Sequence, residues 1–169
     1  MKVRLLPHSP DHLRALLKSP AEYEEKSGYP IAEGVREFLG GPEVSESFQT
    51  RVYDATAADA WRDGFGVLLP EENRVIGLAS FHGPPDTEGM VEISYAIAPG
   101  YTRRGYATEA AQSLLDYAVA SGEVRTVRAH TTPEENASTR ILRRCGFKME
   151  GASEDPEDGL IWRGTLPVP

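Results

Sequence analysis

Apolar and polar residues alternate with a period of two between Val91 and Ile97. Val91, Ile93, Tyr95 and Ile97 share one face and Glu92, Ser94 and Ala96 the other, which predicts a strand over Met90 to Ala98. The period then lengthens to 3.6. Ala107, Ala110, Ala111, Leu114, Leu115, Ala118 and Val119 fall on one stripe, predicting a helix from Gly105 to about Ser121 that Gly122 closes. A strand over Val124 to Thr131 follows. At about 1.5 Å per helical residue and 3.3 Å per strand residue, helix and strand each span roughly 25 Å. That match suits a right-handed crossover joining two parallel neighbours.

The flanking segments are shorter. Lys2 to Leu6 reads as a strand stopped by Pro7, and Ser9-Pro10 caps and starts a helix. Ala21 to Leu39 is a helical region interrupted at Tyr29-Pro30 and ended by Gly40-Gly41-Pro42, and Thr56 to Arg62 is weakly helical. GFGVLLP and RVIGLASFH make a hairpin around Glu71-Glu72-Asn73, and GPPDTEG is a loop. A later helix covers about Asn136 to Cys145, although Thr132-Pro133-Glu134-Glu135 also has the form of a capping box. Phe147 to Ser153 and Leu160 to Leu166 close the chain as paired strands. No internal repeat or linker divides it, so residues 1–169 read as one mixed α/β domain.

Composition removes several functions. The net charge of −8 argues against nucleic acid as the main partner. Between Ala21 and Asp63 ten carboxylates face four cations, either a solvated acidic surface or one that attracts a cationic acceptor. No apolar run approaches the roughly 20 residues that span a bilayer, and MKVRLLPHSPDH does not have the form of a signal peptide. The single Cys145 excludes an internal disulfide and fits a reducing, cytoplasmic setting. It sits beside Gly146 and Phe147 as a core thiol. His8, His12, His82 and His130 are scattered without ligand spacing, so no metal is expected.

The turn between the central strand and the long helix carries the chemistry. A helix start offers unpaired N–H groups and a positive dipole end, Gly105 removes a side chain from the approach, and Arg103 and Arg104 add donors suited to phosphate. It reads as a diphosphate cradle. The P-loop pattern and the three-glycine dinucleotide pattern are both absent.

With the crossover and the later PEENASTRILRRCGF, the chain resembles the GNAT superfamily of N-acetyltransferases, on the side of the ribosomal-protein N-terminal acetyltransferases. Thr102-Arg103-Arg104-Gly105-Tyr106-Ala107, continuing into Thr108, matches the family's Q/R-x-x-G-x-G/A, with Thr102 in place of Gln or Arg. Asn136-Ala137-Ser138 with Leu142 and Cys145-Gly146-Phe147 resembles the last coenzyme-contacting helix, with Glu135 where relatives often carry a first asparagine. The resemblance is firm from about Gly64 to Gly151. It implies a mixed sheet of about six to seven strands with helices on both faces, and acetyl-CoA as cosubstrate.

The resemblance also implies site residues. Arg103, Arg104, Gly105, Tyr106, Ala107 and Thr108 would hold the diphosphate, and Asn136 would offer an amide contact. The Ile97 N–H would polarise the thioester, with Ala96 and Ala98 pairing with the pantetheine arm. Arg140, Arg143 and Arg144 would touch coenzyme phosphates or serve the helix dipole. Acetyl transfer needs a free amine, and Glu92, on the polar face of the strand, would be the general base. Leu142 stands where many members carry an acidic tyrosine, which leaves Ser138 as general acid or as a helix cap. The acceptor is a primary amine, of a protein or peptide N-terminus or of a small molecule. The alternative is a coenzyme-A-binding sensor or partner-binding module without catalysis. The sequence leaves a homodimer open.

Overall fold

Ser9 accepts the His12 N–H and begins α1 (Pro10–Lys18), and Ser19 accepts the Glu22 N–H and begins α2 (Pro20–Ser27). The computed structural model describes residues 1–40, 58–156 and 159–169. The further helices are α3 (Glu37–Gly40), α4 (Ala60–Asp63), α5 (Tyr106–Ser121) and α6 (Ala137–Arg144). The strands are β1 (Arg4–Pro7), β2 (Phe65–Leu69), β3 (Arg74–Phe81), β4 (Met90–Ile97), β5 (Thr126–Thr131), β6 (Lys148–Asp155) and β7 (Gly159–Pro167). They form one sheet in the order β1-β2-β3-β4-β5-β7-β6.

Helices cover both faces. Gly66 lies under His8 and Tyr23 of the N-terminal helical region. Its neighbour Phe65 points the other way, against Phe81 and Tyr117 of α5, where Trp61 completes an aromatic cluster. The crossover through α5 makes β4 and β5 parallel, as the matched lengths predicted. The buried stripe of α5 is Tyr106, Ala110, Ala111, Leu114, Leu115 and Ala118. Val119, in the last turn and past the end of that stripe, is half exposed instead of buried.

Two other expectations change. The helical region from Ala21 stops at Ser27, where Gly28 takes a left-handed φ of 84° and closes α2 ahead of Pro30. Ile31 then bridges to Val75 beside the sheet, and only Glu37 resumes a helix. The ambiguity before α6 is resolved in favour of Asn136, which forms a reciprocal cap with Thr139. Gly41, Pro42, Thr56, the cation Arg51 and three of the ten carboxylates of the acidic N-terminal part (Glu43, Glu46 and Asp54) lie outside the described residues.

Candidate active site

The two central strands part beside the turn. β4 and β5 pair only from Met90–Thr126 to Glu92–Arg128, whereas β4 stays paired with β3 as far as Ile97 and β5 with β7 as far as Thr131. His82 N–H donates to Glu92 O at 2.9 Å and Ala98 N–H to Ile76 O at 2.8 Å. In an antiparallel ladder such bonded pairs alternate, so the main-chain groups of Glu92, Ser94, Ala96 and Ala98 face β3. Those of Tyr95 and Ile97 face the gap. Ile97 therefore keeps its expected direction. Ala96 and Ala98 do not: their amides belong to the β3 ladder, and Tyr95 takes their place on the gap edge.

The turn at the foot of α5 is wound by two left-handed residues, Arg103 at φ 64° and Gly105 at φ 84°. No side chain caps α5, and its first bond of this end runs from Glu109 N–H to Gly105 O. The N–H groups of Tyr106, Ala107 and Thr108 thus have no partner within the helix. A Cβ on Gly105 would meet nothing within 4 Å, so the space beside this glycine at the start of the helix is open. Arg103 and Arg104 are exposed, and the Arg104 guanidinium lies 5.5 Å from the centre of the Tyr101 ring. Tyr101 is fixed in turn by donating to Glu72 at 2.8 Å. The Thr102 hydroxyl is used inside the turn, donating to Pro99 O.

At α6 the side chains are partly committed. Asn136 accepts the Thr139 N–H at 3.1 Å and donates to Thr132 Oγ1 at 2.9 Å, so its amide is first a cap. Arg143 is tied to Glu135, with one bond of 2.8 Å, and the pair holds the Glu135 carboxyl below its usual range. Ser138 is exposed on the first turn, and Leu142 is buried in the core. Cys145 ends α6 half-buried rather than in the core, its Sγ 4.0 Å from Thr108 O, and burial pushes its thiol up.

The polar face of β4 carries a cluster that spacing along the chain concealed. Glu92 Oε2 lies 2.9 Å from His82 Nδ1, and Glu92 Oε1 lies 3.2 Å from His130 Nδ1. The hydrogen bond from His82 is the main reason that the Glu92 carboxyl falls to about 2, against the opposing effect of burial. His82 arrives one residue after β3, and His130 two residues after the last β4–β5 pair. Only the pairing of strands brings them together. Both rings line a cleft of about 1100 Å³ with Ser80, Ser94, Phe65 and Leu160. Among the described residues no group of three or more His, Cys, Asp or Glu side chains is arranged to hold a metal ion, and no helix is long and apolar enough to cross a membrane.

An uncharacterised N-acetyltransferase of Bacillus licheniformis is 31% identical over 93 residues, 55% of this chain and 52% of that protein. The ribosomal protein uS5-alanine N-acetyltransferase of Escherichia coli (strain K12) is 27% identical over 94 residues, 54% of this chain and 47% of that protein. The matched stretch thus spans about half the length of these curated relatives. Among solved structures, a GNAT-family acetyltransferase from Bacillus anthracis aligns over 99% of this chain and 95% of its own, with a TM-score of 0.66 and 22% identity. The ribosomal L7/L12 α-N-protein acetyltransferase in complex with coenzyme A aligns over 99% and 95%, with a TM-score of 0.66 and 15% identity. At these identities the structures speak for the fold. The acetyltransferase (GNAT) domain family matches residues 2–148, and the chain belongs to it.

Proposed function

We propose that this chain transfers an acetyl group from acetyl-CoA directly to a primary amine, and that residues 1–169 act as one domain. The observation that carries this reading is the gap between β4 and β5 beside the uncapped start of α5. A thioester arm can enter the gap while its diphosphate rests on the Tyr106, Ala107 and Thr108 N–H groups. Arg103 and Arg104 add charge at the rim, and Asn136 retains one amide hydrogen for the arm. The Ile97 N–H, with Tyr95 beside it, donates to the thioester oxygen as negative charge develops there. Acetyl-CoA supplies the activated acyl group. The cleft on the polar face receives the amine, with Glu92 in the group that handles its proton and Ser138 as a donor toward the departing thiolate.

Relatives carry names for two kinds of acceptor, the N-termini of ribosomal proteins and spermidine. Both are primary amines, and the reading covers either. The test is a screen of peptides with free N-termini and of small amines with acetyl-CoA, detecting released thiol. Binding is measured in parallel: at 100 times its dissociation constant, acetyl-CoA should stabilise the fold by about 2.7 kcal/mol, a melting shift on the order of 5–11 °C. Binding with acetyl transfer supports the reading. Binding without turnover on any amine would favour a coenzyme-A sensor, and no binding at millimolar acetyl-CoA would overturn the coenzyme site itself.

A further inference from the structure

Resting on that reading, we propose that His130 takes the acceptor's proton at Nε2, while Glu92 holds its ring and His82 holds Glu92. An ionised carboxylate only accepts hydrogen bonds, so each Nδ1 that faces Glu92 carries its hydrogen. In the neutral form of either ring Nε2 is then the acceptor nitrogen, on the side of the ring away from Nδ1. His130 stands beyond Arg128, the last β5 residue paired with β4, and so borders the gap through which the thioester arrives. His82 lies on the β3 side of Glu92, one strand further from that gap.

Glu92 is a poor direct base in this setting, because both its oxygens already face donors. Charged groups reach the cluster from each neighbouring strand. Arg128 of β5 is the register partner of Glu92, and Arg163 of β7 is that of His130. The buried Nε atoms of both arginines have no hydrogen-bond partner. Asp86 acts on Arg128 from the loop before β4, and His8, Arg62 and Asp63 line the same cleft.

The step balances as one proton moved. The neutral amine nitrogen attacks the thioester carbonyl carbon, forming the N–C bond. The C–S bond breaks with its electron pair on sulfur. His130 Nε2 takes the N–H proton, and that proton is passed to the thiolate, leaving an amide, a free thiol and a neutral ring.

The test compares His130→Gln, His82→Gln and the parent chain, each checked for native circular dichroism and for acetyl-CoA binding. With an amine accepted in the screen, His130→Gln should lower kcat about 10²–10⁴-fold and leave the KM for acetyl-CoA unchanged. It should also remove the acid limb of the kcat/KM profile, which His82→Gln should keep while losing less activity. Long-range ¹⁵N–¹H spectra of the parent chain should show hydrogen on Nδ1 and none on Nε2 for both rings at pH 7.5. That readout needs no acceptor, so it separates this proposal from failure of the transfer reading. Parent-like turnover of His130→Gln across pH 6–9, an Nε2–H tautomer at His130, or loss of the acid limb in His82→Gln alone would overturn the assignment.

Discussion

Gly77 on β3 stands directly opposite Ile97 on β4, and a Cβ there would lie 2.3 Å from the Ala96 carbonyl oxygen and 2.9 Å from Ile97 Cδ1. The residue on one strand thereby sets how closely β3 supports the strand that carries the thioester donor. Backbone must shift if any side chain is added. Gly77→Ala should destabilise the fold by about 1–3 kcal/mol through overpacking. Displacement of the Ile97 N–H by about 1 Å should cost turnover on the order of 10²-fold. Gly100→Ala, where a Cβ meets nothing within 4 Å, is the control and should change neither. Thermal melts and steady-state kinetics on the two variants decide it; equal activity in both would remove Ile97 from the donor role.

Gly105→Val separates the space of the cradle from the stability of the turn. Open space around the position means that the valine causes no clash within the fold. Its cost there is the left-handed φ of 84°, about 1–2 kcal/mol for a residue with a Cβ. The valine would project over the first-turn N–H groups and exclude a phosphate. The expected outcome is a folded variant whose titration with acetyl-CoA gives no thermal shift. A folded variant that binds as tightly as the parent would put the diphosphate site elsewhere.

The architecture around this turn was legible because periodicity reports local faces. The 3.6-residue stripe of α5 and the alternation of β4 located both elements, and their matched lengths implied the parallel crossover. Main-chain direction was not legible to the same degree. The direction of the Ile97 N–H, and whether Ala96 and Ala98 or Tyr95 flanks it, depends on which pairs of the β3–β4 ladder are hydrogen-bonded, and that is fixed only by register. His82 and His130 look scattered along the chain because they stand 48 positions apart. The sheet brings both to Glu92 through one antiparallel and one parallel pairing. A histidine one residue past the strand facing Glu92 was the available signal.

Glu92→Gln tests the cluster from its centre. An amide presents one oxygen and one NH₂ group, so it can accept from only one of the two Nδ1–H groups and must turn a donor toward the other ring. At least one imidazole then changes tautomer. Turnover should fall about 10²–10⁴-fold, with coenzyme affinity nearly unchanged. The deficit should shrink as pH rises and more amine arrives deprotonated. Ser138→Ala is compared in the same assay, and if it alone loses chemistry while binding coenzyme, the proton passes through α6 instead of through the cluster.

His8 supplies a pH dependence that is independent of the reaction. Its Nε2 lies 2.7 Å from the Tyr23 hydroxyl, and both side chains are buried. Burial, with His12 nearby, lowers the His8 pKa from 6.5 to about 3. The unfolded chain therefore binds a proton over a range in which the folded chain does not, and stability must fall as pH falls through that range. The contribution of His8 is fully present above pH 6.5 and is lost toward pH 3, by about 1.4 kcal/mol for each pH unit within the window. Glu92, lowered from 4.5 to about 2, adds a loss of the same sign only below pH 4.5. Urea unfolding of the parent chain and His8→Gln side by side at pH 7, 6 and 5 isolates this histidine from the other three. His8→Gln should flatten the slope between pH 6.5 and 5 by about that amount, whatever its absolute stability. Tyr23→Phe should lower stability by about 1–3 kcal/mol, by leaving the His8 nitrogen without its partner, and should keep the slope. An unchanged slope in His8→Gln would mean that His8 is protonated within the fold.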